Sequence, residues 1–369
     1  GNGEAVMVWG DALADDLRAQ RFNEDMETLW NDSSENIGKI ICDADGTQTK
    51  AKVTTFNDNV IVTWKDLRYD ADGDVYAQIL DSSGDALLAD NGVVVCDNSA
   101  QQASPRVKTD GTYAYIYWED KRNEAGGDSN VDPYVQKMDA AGNLLWQTNG
   151  VQVLDNEAEQ IGVRMSPDQL GGAFFTWVDS RFSLVNPEDD ENRGADIYAQ
   201  HIGSDGTLTF GDGALSIDTD RATQNLPLIK SNNSGEAYIV WSDHKNGSDI
   251  IIEVQKLTDQ GVEFTENGKE VFYGQDGDSY LSSIVQTYDG EVMVAFEDQR
   301  FHSNLFPGCY SYGLKLDEFS SFSSHDDAEP LSLNPYQGPH DQNFWRRAKL
   351  AKSSEKIMMN FTEYQNGFN

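Results

Sequence analysis

Cysteine, histidine, basic residues and long apolar runs are all scarce in this 369-residue sequence, and each scarcity excludes something. Three cysteines cannot form an even disulfide framework. Cys42 and Cys96 occupy matching places in neighbouring repeats, where they read as small buried apolar side chains. Lys and Arg number 27 against 63 Asp and Glu, a net charge of −36. Long-range repulsion therefore excludes a nucleic-acid partner and disfavours an anionic membrane surface. No stretch reaches the roughly 20 apolar residues of a membrane helix, so membrane insertion is not expected. Catalytic signatures are missing too: there is no G-x-S-x-G, H-E-x-x-H, phosphate loop, dinucleotide fingerprint or sialidase-type Asp box. These gaps favour a non-catalytic chain, although a glycosidase needs only two carboxylates and 63 are present.

What is present is a repeat. Eight Trp, 15 Tyr and 16 Phe are spread over the whole length, enough for a real core despite the charge. Asp outnumbers Glu 42 to 21, a bias toward turns over helices. One alternating apolar run, ending in an aromatic and an acid, recurs as VMVWGD, VIVTWKDLR, AYIYWEDKR, AFFTWVDSR, AYIVWSDHK, VMVAFEDQR and the weaker IMMNFTEYQ. Its aromatics are Trp9, Trp64, Trp118, Trp177, Trp241, Phe296 and Phe361. After most copies come a D-x-Y-x-Q-type run, a Gly-containing turn, a short apolar run such as KIICD or VVVCD, and a fourth such as SPRVKTDG. Each repeat therefore holds four short strands separated by Gly, Asn and Asp turns. Repeats of this kind predict a β-propeller; about 60 residues is too short for a typical sandwich domain of roughly 100.

The pattern P-x-V-x-x-D-G, apolar strand, W-x-D-x-R, D-I-Y-x-Q is carried by Pro105 to Gly111, Trp118, Asp120, Arg122, Asp196 to Gln200, Trp241 and Asp243. It resembles TolB-like propeller repeats and the propeller modules of large secreted or surface-anchored bacterial proteins. The resemblance covers nearly the whole chain. It implies an extracytoplasmic place, secreted or at a bacterial cell surface, and binding more often than catalysis. The expected fold is all-β, a propeller of four-stranded antiparallel blades, six or seven in number with seven favoured. One domain is expected over 1–369, with repeats starting near 6, 60, 114, 173, 237 and 292 and a partial one at 357. The opening Gly1-Asn2-Gly3 reads as the inside of a turn and suggests a piece of a longer exported protein.

Candidate sites fall into three groups. In a strand, residues i, i+2 and i+4 share a face. Trp64, Asp66 and Arg68 therefore project together, as do Trp118, Asp120 and Arg122, and Trp177, Asp179 and Arg181, with Trp241 and Asp243 in a further copy. A set that recurs in four or five repeats suits structure better than a single active site: Asp accepting backbone N–H groups, Arg bridging to the next blade. Gln20, Gln78, Gln136, Gln200 and Gln255 are read as inter-blade hydrogen bonders. Asp70, Asp72 and Asp74, in D-x-D-x-D spacing, and the acidic run Glu188, Asp189 and Asp190 suit a hard cation, so calcium is the cofactor expected if any. The aberrant sixth repeat gathers Phe301, His302, Phe306, Tyr310 and Tyr336, read as a partner contact. The function expected from these features is a non-catalytic extracellular or cell-surface module for protein interaction, adhesion or structure within a larger assembly. The alternative is a carbohydrate-active propeller, a glycan-binding module or glycosidase using the channel mouth. Partners are accordingly other proteins or surface glycans.

Overall fold

The computed structural model describes residues 4–11, 16–30, 38–69, 71–123, 131–154, 160–181, 195–220, 222–244, 250–265, 267–272, 279–287, 290–298, 310–316, 329–330, 344–352 and 357–365. These residues form antiparallel sheets. The first sheet holds Ala5–Asp11, Asp16–Phe22 and Lys39–Cys42. The second holds Gln48–Phe56, Asn59–Asp66, Asp74–Leu80 and Val93–Cys96; the third, Gln102–Thr109, Ala114–Asp120, Asp132–Met138 and Val151–Gln152. The fourth holds Gln160–Pro167, Ala173–Asp179, Asp196–Ile202 and Leu215–Asp218. The fifth holds Gln224–Ser231, Ala237–Asp243, Ile251–Thr258 and Lys269–Phe272, with Gly261–Val262 added at its side. The sixth holds Ser279–Gln286, Val292–Asp298, Tyr310–Lys315 and Glu329–Pro330, and the seventh pairs Phe344–Lys352 with Ile357–Gln365. The four-stranded meander read from the repeat is thus the building unit. No helix among the described residues is long and apolar enough to cross a membrane.

The chain divides into two compact units. One comprises Gly1–Glu157, Gly171–Ala173 and Ile202–Leu208 and contains the first three sheets. Its core lies between successive sheets: Leu17, Trp30 and Cys42 of the first meet Val62, Trp64 and Tyr76 of the second, and Ile61, Val75 and Ile79 of the second meet Ile116 and Trp118 of the third. The other unit comprises Ala158–Leu170, Phe174–His201 and Thr209–Asn369. There Phe174, Ile197 and Ile217 pack on Ile239 and Trp241, and Tyr238, Val240 and Val254 pack on Val294 and Phe296. Trp64, Trp118, Trp177 and Trp241 are each at most 1% exposed, so each indole contributes roughly 2–3 kcal/mol of burial.

Two backbone devices repeat with the sheets. The first strand of a sheet carries a bulge, between Thr49 and Lys52, Ala103 and Arg106, and Asn225 and Leu228, with Lys50, Ser104 and Leu226 at positive φ. The other is an Asn-Gly turn before the fourth strand. Asn91, Asn149 and Asn267 have φ of 64°, 61° and 63°, and the glycine that follows each is also left-handed. That glycine lies flat on the indole of its own sheet: a Cβ at Gly92, Gly150 or Gly268 would stand 2.4, 2.5 or 2.5 Å from the Cη2 of Trp64, Trp118 or Trp241.

Gly150→Ala combines backbone strain with this collision and is expected to destabilise by at least about 2 kcal/mol. Gly111→Ala, at φ 91° with no atom within 4 Å of the added carbon, meets the strain alone and should lose about 1 kcal/mol. Thermal unfolding of the two variants side by side checks this; equal losses would mean that the indole contact is unimportant.

Candidate functional site

The W-x-D-x-R strand ends form a clamp at the seam between neighbouring sheets. Asp66 is fully buried in its side chain. Its Oδ2 accepts the Trp64 indole N–H at 2.8 Å, its Oδ1 accepts the Arg68 backbone N–H at 2.9 Å, and both oxygens accept the Arg68 guanidinium, at 2.9 and 2.6 Å. Arg68 Nη2 also donates to the Asn91 carbonyl at 2.9 Å and lies 3.3 Å from the Sγ of Cys42, which belongs to the preceding sheet. Its Cζ sits 4.0 Å above the ring of Tyr76. The next sheet repeats the arrangement with Trp118, Asp120, Arg122, Asn149, Cys96 and Tyr134. In the fourth sheet Asp179 accepts from Trp177 and Arg181, and Arg181 lies over Tyr198 while donating to the Gly213 carbonyl. Asn91 Oδ1 accepts the Asp43 N–H and Asn149 Oδ1 the Asp97 N–H, so the same turn that receives the arginine also stitches to the preceding sheet.

The electrostatics follow from this geometry. Burial alone would raise the Asp66 pKa, but the hydrogen bonds from Arg68, Trp64 and the Arg68 backbone outweigh it and hold the carboxyl below its ordinary 3.8. Burial pushes the thiols of Cys42 and Cys96 up to about 11, so both are inert protonated fillers, in keeping with their reading as small apolar side chains. The glutamines differ from expectation. Gln20, Gln78 and Gln136 bond within their own sheet: each amide donates to a carbonyl in the segment that follows the strand bearing it, at Trp30, Ala89 and Gln147. Each carbonyl oxygen accepts two N–H groups, of Trp30 and Arg21, Leu88 and Ile79, or Trp146 and Lys137. They pin loops and not the seams expected of them, because a buried amide in every repeat looks the same from sequence either way.

The fifth sheet breaks the clamp. Strand register places Asp218, the partner of Ile197, where Cys42 pairs with Leu17 and Cys96 with Val75. It places Glu253, opposite Trp241, where Tyr76 stands opposite Trp64. The Trp241 indole N–H turns to Asp218 Oδ2, at 3.0 Å, rather than to Asp243. Asp218 and Asp243 are both 0% exposed and Glu253 is 2% exposed. Asp218 Oδ1 accepts the Asp220 N–H at 3.1 Å, and Asp220 Oδ1 accepts the Ala222 N–H and the Gln224 amide. One oxygen from each of Asp218, Asp220 and Asp243 lies within 4.8 Å of the others. This donor set, all carboxylate oxygen, fits a hard cation such as Ca²⁺. The signal in the sequence was the alignment of KIIC, VVVC and LSID, in which the acid replaces cysteine, and of DVYAQ with IIEVQ, in which Glu replaces Tyr.

The expected loop sites fare differently. Asp74 is buried and opens the third strand of the second sheet opposite Asp66, as Asp132 does opposite Asp120, so it belongs to the repeat and not to the loop. Asp72 is exposed. Asp70, Glu188, Asp189, Asp190, Phe301, His302, Phe306 and Tyr336 lie outside the described residues, and of Tyr310 only the backbone, in a strand, is described. Among the described residues the carboxylates brought together are Asp218, which ends the fourth sheet, Asp220 after it and Asp243 of the fifth.

No known protein family and no curated protein matches the sequence. Solved structures do. A polysaccharide lyase matches with a TM-score of 0.51 and 10% identity over 99% of this chain and 86% of that one. An α-L-arabinofuranosidase of Fusarium graminearum matches with a TM-score of 0.44 and 10% identity, over 86% and 91% of the two chains. An α-L-arabinanase of Penicillium chrysogenum matches at 0.41 and 11%, over 81% and 86%. The similarity supports a propeller-type all-β fold, and not the TolB-like repeats specifically. It also corrects the expectation of a non-catalytic adhesion or interaction module: the structure matched over 99% of this chain is that of a polysaccharide lyase, and the TolB-like resemblance and the missing motifs that favoured a non-catalytic chain do not exclude an enzyme that needs only two carboxylates.

Two outcomes are expected from the clamp and its broken copy. Asp66→Asn should destabilise by about 3–5 kcal/mol at neutral pH, because it leaves Arg68 partly buried without its counter-charge. Because the folded pKa of Asp66 is depressed, its contribution is present above the ordinary carboxylate value and is lost as pH falls through the folded one. The gap between native and variant should accordingly close only in acid, in urea titrations run as a pH series. At fixed ionic strength, Ca²⁺ should raise the melting temperature of the native chain in a saturable way and leave Asp218→Cys unmoved. A shift equal in both proteins would remove Asp218, Asp220 and Asp243 as cation ligands.

Proposed function

We propose that this protein is a carbohydrate-active propeller, a module that binds or cleaves a glycan outside the cell. The observation that supports it most is the fold shared with a polysaccharide lyase over 99% of this chain. Composition agrees. A net charge of −36 repels nucleic acid and membranes, and suits an exposed protein whose ligand is recognised by hydrogen bonds to hydroxyls. Departures from the repeat supply chemistry: at the seam of the fourth and fifth sheets Asp218, Asp220 and Asp243 bring carboxylates together, the side chains that glycan chemistry and cation binding both use. The buried position of Asp218 and Asp243 suits a cation that fixes the seam better than direct contact with a polymer. A blade number of six or seven and a bacterial source belong to the same proposal.

Native affinity electrophoresis tests it. The strongly acidic chain runs fast, so retardation by an embedded polysaccharide is easily read. At least one of arabinan, xylan, pectin and ulvan should retard the full chain or release reducing or unsaturated ends when incubated with it. No retardation and no product with any of them would contradict the carbohydrate reading.

A further inference from the structure

The first and second sheets leave a cleft of about 450 Å³ at their seam, a volume within the range of about 300–1,000 Å³ usual for small-ligand sites. It lies at the ends of the strands opposite to the Asp–Arg clamp, around Glu4, which precedes Ala5–Asp11, and the hairpin turn Asn57–Asn59. Its cause can be read from the third sheet. The ladders Ala5 to Phe22 and Ala114 to Met138 put Arg21 in the place of Lys137, Val6 in that of Tyr115 and Glu4 in that of Tyr113. The polar lock is the same in both. The Trp30 indole donates to the Ser82 carbonyl at 2.9 Å and Arg21 to the same oxygen at 2.8 Å; Trp146 and Lys137 both donate to the Ser204 carbonyl, at 3.1 and 3.3 Å. The filling is not the same. In the third sheet the Tyr115 ring packs 5.8 Å from that of Trp146, and the Lys137 ammonium sits 4.0 Å from the Tyr113 ring centre. In the first sheet both rings are gone, and valine and glutamate stand there instead.

We propose that this cleft binds a neutral saccharide, whose ring takes the space of the absent tyrosines. The inference rests on the carbohydrate reading and gives it a site. Val6, Val53 and Val60 offer an apolar wall for the C–H face of a sugar. Arg21, held by Ser82 and by an ion pair with Glu4, presents a planar donor fork beside a planar acceptor. Asn57, Asp58 and Asn59 bring amide and carboxylate groups from one tight turn, in which Asn57 is held at φ 54°. Planar side chains with paired donors and acceptors match vicinal hydroxyls. Glu4, Asp58 and Asp81 set three acids against one arginine around the cleft, so a uronate or sulfated sugar is repelled.

Calorimetric titration of the full chain with arabinotriose, xylotriose and cellotriose, and with trigalacturonate as the anionic comparison, tests this. At least one neutral trisaccharide should bind. Val6→Tyr, which restores the ring of the third sheet, should weaken it at least tenfold with an unchanged or higher melting temperature, and Asp58→Ala, at an exposed turn, should weaken it several-fold. If a neutral trisaccharide binds both variants as tightly as the native chain, or if trigalacturonate alone binds, the cleft assignment is overturned while the carbohydrate reading stands. If the native chain binds none of the four, the cleft assignment falls, and the retardation assay decides separately whether the carbohydrate reading falls with it.

Discussion

A buried carboxylate that must be satisfied from several directions at once is the constraint on which the sheets of this protein depend. An Asp at the end of a second strand cannot be left uncompensated in the interior. Here it collects an indole N–H, a backbone N–H and a guanidinium, and the guanidinium in turn reaches a turn carbonyl and the preceding sheet. Each acceptor fixes a different element, so satisfying one charge sets the position of the strand end, the Asn-Gly turn and the neighbouring sheet together. The glycine of that turn is required because the indole that donates to Asp occupies the room a side chain would need. Such a unit is rigid for electrostatic reasons and is repeated alongside the apolar cores that lie between successive sheets.

The interest of a repeat protein lies where one copy breaks the rule. Two breaks stand out, one in each compact unit. In the fifth sheet the partners of the clamp change together, cysteine to Asp218 and tyrosine to Glu253, and the indole changes its acceptor. In the first sheet the lock at the other end of the strands is retained but its two tyrosine rings are replaced, and a cleft results. Concentrated acid gathers oxygen ligands; missing rings leave room for a ring. Both fit a protein that handles carbohydrate, and neither disturbs the copies of the clamp elsewhere.

Much of the fold was legible because strand periodicity and the W-x-D-x-R spacing are local. Trp64, Asp66 and Arg68 share a face by alternation alone, and their mutual bonds follow. What lay out of reach was register. Whether Asp218 matches Asp43 or Cys42 is a one-residue question, and the answer decides whether it is a loop acid or a buried seam acid; only the ladder settles it. Asp74 poses the same question: its spacing groups it with a loop, and the ladder shows it opening a strand. The bulges at Ser104 and Leu226 each hold a proline, Pro105 and Pro227, whereas the one at Lys50 has neither glycine nor proline to betray it. The cleft is invisible to motif reading because it is made by side chains that are smaller than expected.

The claim that a shared buried charge organises the sheets is tested most directly by hydrogen exchange at the indole N–H groups of Trp64, Trp118 and Trp177, followed by NMR in heavy water. Each is bonded to a fully buried Asp oxygen, so exchange should proceed only through opening of the sheet seam, orders of magnitude slower than in a free indole, and at Trp64 should quicken as acid titrates Asp66. Exchange at the rate of a free indole, or protection that survives Asp66→Asn at Trp64, would contradict the account.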